Sequence, residues 1–325
     1  MTHVLTSWAV RAGRDHRCDV EIGNEIMKDT IAFIGLGKMG LPMAAHLVRG
    51  GHTVIGFDTS DERQAAAREA GLTVTSALEN LLGSSAVVVS SLPNDAALLN
   101  VGEQIARHAA PGSIFIDTST VSVDASASVA EQLARAGIRY LRCTVSGNTV
   151  MAEAAKLTVM VSGDRAAFDA CNGLFGNWGE KCFYLGDAEQ AKLMKLSINL
   201  MIAHTAGMLA EAMSLGQKGG LAWADMWQVV EASAVGSPIV KAKAGALSKR
   251  DFTATFTVEQ MRKDVGLILD AGKSLNVPLG LTALTAQMLS SASACGYADE
   301  DYAAIIKVVE HAAHVNRANV EVEGA

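Results

Sequence analysis

IAFIGLGKMGLPMAAHLVRGGHTVIGFD, residues Ile31 to Asp58, reads as a strand, a glycine turn, a helix, a second strand and a terminal acid. Gly35, Gly37 and Gly40 have the spacing G-x-G-x-x-G, and they lie between an apolar β-branched run and a helical stretch, the context that gives the motif meaning. The first glycine permits the tight turn. The second lets a ligand approach the backbone, and the third lets the helix pack closely on the strand. The helix N-terminus, with its unpaired amides, then faces an anion. Residues Gly35, Leu36, Gly37, Lys38, Met39 and Gly40 are therefore expected to contact the pyrophosphate of a dinucleotide. Asp58 lies eighteen residues after Gly40, at the end of the second strand, where a carboxylate accepts from ribose hydroxyls. The same charge repels a 2′-phosphate, and the next residue is Thr59 rather than arginine, so the sequence favours NAD over NADP.

Outward from this stretch, strand and helix alternate to about residue 185. Further strands are expected at Thr53–Phe57, Ala86–Ser90, Ser113–Ile116, Arg139–Leu141, Thr158–Val161 and Cys182–Leu185, after a first at Thr30–Ile34. Helices are expected at Lys38–Arg49, Asp61–Ala70 and Val121–Ala136. Short apolar strands between helices predict an α/β Rossmann domain with a doubly wound, mostly parallel sheet. After Gly186 nearly everything reads as helix. The expected organisation is an extension over residues 1–26, a dinucleotide-binding domain over 27–187, and an all-helical substrate and oligomerisation domain over 188–325. The extension shows neither a period nor the apolar run of a signal peptide.

The chain has 325 residues, half of them hydrophobic, with net charge −7 and mean hydropathy +0.23. That is enough for two cores. Aromatic content is 5% and no basic stripe occurs, which leaves no footprint for nucleic acid. Five scattered cysteines without a CxxC pair predict no metal site and fit reduced thiols in a cytoplasmic protein. Leu196–Leu215 is long enough to cross a bilayer, yet Asn199, His204 and Glu211 lie inside it, so a helix buried in protein is expected instead of a membrane span.

FIGLGKMGLPMAAHLVRGGHTV resembles the N-terminal signature of the β-hydroxyacid dehydrogenase family, which includes 3-hydroxyisobutyrate and tartronate semialdehyde enzymes and is related to 6-phosphogluconate dehydrogenase. The resemblance runs from about Ile31 to Tyr302. SSLPN resembles the family's Leu-Pro segment beside the cofactor, which implies cofactor contacts for Leu92 and Pro93. DTST resembles the strand end near the nicotinamide, implicating Ser119 and Thr120 with substrate and Thr120 also with cofactor. TVSGN resembles the substrate loop, implicating Ser146, Gly147 and Asn148. The segment from Gly186 resembles the long interdomain helix, with Lys195 as catalytic lysine and Asn199 beside it. FTVEQMRKDVGLIL resembles the late Lys-Asp helix, which implies that Lys263 lies close to the cofactor. The family implies a small hydroxy-acid or semialdehyde substrate.

The chemistry agrees. Lys195 and Asn199 stand at i and i+4 and share one helix face. Removing hydride from a carbinol carbon requires loss of the hydroxyl proton, which a neutral amine can take and an ammonium can return. Burial lowers a lysine's pKa and makes the neutral form accessible. Lys192, one turn earlier, lacks the i+4 relation to Asn199. His204 is nine residues from Lys195 and half a turn out of phase, so it is expected to be a packing histidine; His46 and His52 read as solvent or turn residues. Other readings are a semialdehyde or imine reductase and a non-catalytic dinucleotide-binding module; retention of Lys195 with Asn199 argues against the last.

Several residues depart from the family pattern. Thr144 stands for a proline, Asn148, Met151 and Ala155 for glycines, Arg142 for an acid, and Glu189 for a glycine. Asn148 and Thr144 are expected to re-polarise the substrate pocket, with Arg142 near it. That would favour a hydroxy acid carrying an extra polar or anionic group. The apolar long helix predicts a homodimer or a tetramer of dimers.

Overall fold

The computed structural model describes residues 30–315, so the extension expected over residues 1–26 lies outside the described residues. The first part alternates β1 (Ile31–Ile34), α1 (Gly40–Arg49), β2 (Val54–Phe57), α2 (Asp61–Glu69), β3 (Thr73–Val74), α3 (Leu78–Gly83), β4 (Val87–Ser90) and α4 (Asp95–His108). It continues through β5 (Ile114–Asp117), α5 (Val123–Arg135), β6 (Arg139–Ser146), α6 (Thr149–Glu153), β7 (Thr158–Gly163), α7 (Arg165–Phe175) and β8 (Lys181–Tyr184). Helices follow: α8 (Gln190–Lys218), α9 (Trp223–Ala232), α10 (Pro238–Leu247), α11 (Val258–Ser274), α12 (Gly280–Ala292) and α13 (Ile305–Ala312).

The strands form one sheet in the order β3-β2-β1-β4-β5-β6-β7-β8. Every neighbouring pair is parallel except β6 and β7, which are antiparallel. Period two divides β1 between two cores. Ile31 and Phe33 pack with Met43 and Leu47 of α1. Ala32 and Ile34 face the other way, toward Leu98, Ile105, Val129 and Leu133. Both faces are covered, which explains why the strands read as continuous apolar runs. The chain leaves β1 toward β2 and returns to β4 on its other side, opening a crevice at the carboxyl ends of β1 and β4.

The structure adds one strand to those expected and lengthens another. β3 is the addition, with only two residues, too few to show a period. β6 continues past Leu141 to Ser146, because Thr144 is fully buried with its hydroxyl bonded, and so does not end the strand.

α8 is 29 residues long and apolar enough to span a membrane by length and composition alone. Its early turns lie on β6 and β7, and its later turns pack against α11, α12 and α13. A third core, with Leu209, Met213, Trp227, Val240, Val265 and Ile305, holds the helical part together.

Candidate active site

The glycine turn separates into packing and ligand positions. Gly35 has φ +92°, and a Cβ there would sit 2.2 Å from the Ser91 carbonyl oxygen. A Cβ on Gly40 would sit 1.9 Å from the Gly35 carbonyl oxygen. Both are glycine because the protein leaves no room. At Gly37 the nearest atom is the Arg63 guanidinium, 3.8 Å away, so this position is open. No side chain caps α1 at Met39; the Leu41 N–H donates to the Gly37 carbonyl at 3.0 Å and Pro42 has no N–H, so the amides of Lys38, Met39 and Gly40 are the ones that face an anion. These features fit a dinucleotide pyrophosphate. Lys38 is exposed beside the turn, while Met39 packs partly against the core.

Leu36 corrects the expectation: its side chain is core, and its N–H donates to Asp58 Oδ2 at 2.8 Å rather than to a ligand. Asp58 is almost fully buried and also accepts from the Ser60 N–H at 2.9 Å. Its carboxylate therefore fastens the glycine turn to β2, with lone pairs left over for a ribose hydroxyl. Arg63, which sequence reading passed over, places its guanidinium 3.7 Å from Asp58. Only the fold shows this, because the two residues meet across the start of α2. Beside them lies a cleft of about 610 Å³, lined by Gly35, Asp58, Arg63, Leu78, Leu92 and Pro93 among others.

At the other end, the loops after β4 and β5 meet α11. Lys263 donates to the Thr120 carbonyl at 2.8 Å and the Pro93 carbonyl at 3.5 Å, and lies 3.0 Å from Asp264. It thus joins the helical part to both predicted cofactor loops. Ser119 departs from its predicted substrate role. Its hydroxyl donates to Asp117 at 2.5 Å and accepts from the Leu92 N–H at 2.8 Å, and the residue is buried. Its side chain holds the loops. Thr120 remains half-buried at the edge.

Lys192 and Lys195 have different surroundings. Lys192 is fully buried and donates to Asp117 Oδ2 at 2.6 Å. Lys195 is half-buried, and burial pushes its ammonium below the usual lysine value. The Asp264 carboxylate opposes that shift, and Lys263 adds to it. Asn199 is buried, and its amide nitrogen donates to Asp264 Oδ2 at 2.6 Å. One amide hydrogen and the carbonyl oxygen of Asn199 are left for a ligand. Asp264, not singled out by sequence reading, thus orients one predicted catalytic residue and biases the other. His204 pairs with Thr282 at 3.1 Å, in the packing role expected for it.

The substrate loop ends β6. Ser146 is half-buried with its hydroxyl unclaimed by the described residues, and Gly147 is exposed with φ +142°. The departures nearby bond to the protein itself. Asn148 caps α6, accepting from the Met151 N–H at 3.0 Å. Thr144 donates to the Ala191 carbonyl at 2.9 Å. Arg142 is buried, lies 4.6 Å from the centre of the Tyr140 ring, and donates through Nε to Glu189 Oε1 at 2.7 Å. Ser162 adds a further bridge, donating to the Ala188 carbonyl and accepting from the Ala191 N–H. Three of the departures, Arg142, Thr144 and Glu189, thus act together to fasten the start of α8 to β6.

Two family profiles cover the described chain. The NAD binding domain of 6-phosphogluconate dehydrogenase matches residues 30–186. The NAD-binding domain of NADP-dependent 3-hydroxyisobutyrate dehydrogenase matches residues 190–309. The chain is 34% identical to 2-(hydroxymethyl)glutarate dehydrogenase of Eubacterium barkeri, over 86% of its own length and 94% of that protein. The solved structure of Mycobacterium tuberculosis 3-hydroxyisobutyrate dehydrogenase with L-serine superposes with TM-score 0.80 at 29% identity, covering 87% of this chain and 99% of that one. A 3-hydroxyisobutyrate dehydrogenase from Salmonella typhimurium gives 0.79 at 27% identity, covering 86% and 100%.

Proposed function

The chain belongs to the β-hydroxyacid dehydrogenase family of the 3-hydroxyisobutyrate type, and from that premise we propose that it oxidises a β-hydroxy acid with NAD, using Lys195 as acid/base. The observation that carries this reading is Lys195 itself: half-buried, lowered in pKa by burial, and one turn before Asn199 on α8. A bound nicotinamide would supply or accept the hydride. The glycine turn would hold its pyrophosphate, and Thr120, Pro93 and Lys263 would border its far end. Neutral Lys195 takes the substrate hydroxyl proton, and the ammonium returns it in the reverse direction. Asn199, held by Asp264, steadies the hydroxyl against that amine. Ser146 and the exposed amides at Gly147 would receive the substrate carboxylate. Lys195, Asn199 and Lys263 come from the helical part, and Pro93, Thr120 and Ser146 from the sheet part, so closure of one part on the other would exclude water.

NAD is preferred in this reading because Asp58 carries the charge at the ribose corner; Arg63 balances part of it and narrows the preference. With Asn148, Thr144 and Arg142 committed to structure, support for a second anionic group on the substrate comes from the relative named for 2-(hydroxymethyl)glutarate. Formation of NADH from NAD or of NADPH from NADP, with a panel of 2-(hydroxymethyl)glutarate, 3-hydroxyisobutyrate and serine, tests all three points. NADH binding without turnover of any hydroxy acid would favour a non-catalytic module.

A second copy of the chain is the proposed partner. Met194, Met201, Met208 and Leu215 recur every seven residues on α8 and are exposed. Leu281 and Leu284 of the neighbouring α12 are exposed too. Such an apolar seam is covered in a dimer, and only monomer by light scattering would remove the reading. Cys143, Cys171 and Cys295 are thiols rather than halves of disulfides, in keeping with a reducing, cytoplasmic setting.

A further inference from the structure

Lys192 is a lysine buried to 1% exposure, and the proposed chemistry does not use it. Its ammonium donates to Asp117 Oδ2 at 2.6 Å, the Ser119 carbonyl at 2.8 Å and the Asp117 carbonyl at 3.4 Å. Three acceptors match three donors. Asp117 is itself fully buried, and its other oxygen accepts from the Ser90 hydroxyl at 2.8 Å, the Ser119 N–H at 3.1 Å and the Ser119 hydroxyl. Ser119 in turn receives the Leu92 N–H. One cation on α8 thus gathers the carboxyl ends of β4 and β5 and the two loops that follow them. Lys195 stands one turn further along the same helix, and the next carbonyl after Ser119, that of Thr120, receives Lys263.

Burying an ion pair costs desolvation that its attraction seldom exceeds, so apolar residues of the same shape would hold the helix on the sheet about as well. A lysine with directed bonds to two carbonyls supplies something packing does not, namely a set distance and orientation. We infer that Lys192 is a positioning residue: through the Ser119 carbonyl and the Asp117 carboxylate it fixes the Ser119–Thr120 turn against the helix turn that carries Lys195. The inference rests on the dehydrogenase reading. Hydride transfer requires the carbon held at the nicotinamide and the oxygen held at Lys195 to keep their separation, and a displacement of about 1 Å costs on the order of 10²-fold in rate.

The test compares two variants that share a neutral residue at 117. In Asp117→Asn, Lys192 keeps its carbonyl partners but loses its counter-ion, so the wild type is the reference for the double variant if Asp117→Asn does not fold. In Lys192→Met/Asp117→Asn the ammonium is gone and no carboxylate is stranded. Folding is followed by circular dichroism and NADH affinity by fluorescence, and turnover is measured on the hydroxy acid that the wild type oxidises. The double variant is expected to have kcat about 10–100-fold below that of Asp117→Asn, with an NADH Kd within about threefold of it. The pH limb set by Lys195 should be unchanged. Equal kcat in the two folded variants overturns the inference. Loss of the limb overturns it too, since Lys192 would then be the acid/base. If the double variant does not fold, Lys192→Gln/Asp117→Asn carries the same comparison, and equality with Asp117→Asn again overturns it. No turnover by the wild type overturns the dehydrogenase reading and this inference together; wild-type turnover with equal variants overturns this inference alone.

Discussion

The glycine turn after β1 and the junction between β6 and α8 both hold unusual residues in place, but for different reasons. In the turn, the glycines answer to backbone that leaves no room for a side chain: a Cβ on Gly40 would overlap the Gly35 carbonyl oxygen within the turn itself, one on Gly35 would overlap the Ser91 carbonyl oxygen after β4, and Gly37 has open space. At the junction, Arg142, Thr144 and Lys192 answer to partners between 47 and 75 residues distant. A local motif can be read without its surroundings. A residue whose partner is far along the chain looks like a site residue until the partner is seen.

The largest expected effect sharpens the contrast between the two lysines. Lys195→Ala should lower kcat by about 10²–10⁴ while NADH still binds. The pH profile carries the sign. Burial lowers the Lys195 pKa, so oxidation should rise with pH and level off below the usual lysine range, while reduction falls over the same interval. In stability the same shift acts in one direction: between the folded and unfolded values the unfolded chain holds more protons, so stability rises with pH there as the burial penalty is relieved. A plateau at the ordinary lysine value would break this assignment.

Arg142→Ala comes next. It strands Glu189, which is only 12% exposed, and should cost about 3–5 kcal/mol in denaturant unfolding. Arg142→Met/Glu189→Met should recover most of that. Substrate ranking should stay as in the wild type; a changed ranking would return Arg142 to the pocket.

Ala155→Gly should stabilise. Ala155 has φ +52°, a left-handed conformation that costs an L-residue about 1–2 kcal/mol and that glycine adopts freely. A raised Tm checks it.

The smallest effect is Asn148→Gly. Loss of an Asn cap to glycine costs only a few tenths of a kcal/mol. Equal substrate ranking before and after would complete the case that Asn148 is a cap. A shift toward simple acids would make it a specificity residue after all.

The sequence by itself determined the strand–turn–helix, the mostly parallel sheet followed by helices, and the placing of Lys195 and Asn199 on one turn-to-turn face of α8. Each of these is a local pattern: alternation, a glycine spacing, or an i, i+4 relation on one helix. Only the tertiary structure decided that Leu36 and Ser119 serve the loops and that Asp264 orients Asn199. It also decided that Thr144, Arg142, Glu189 and Lys192 join α8 to the sheet. The reason is physical. A buried polar side chain is satisfied by whichever donor or acceptor the fold brings within hydrogen-bonding distance, and nothing in its own neighbourhood of sequence names that partner.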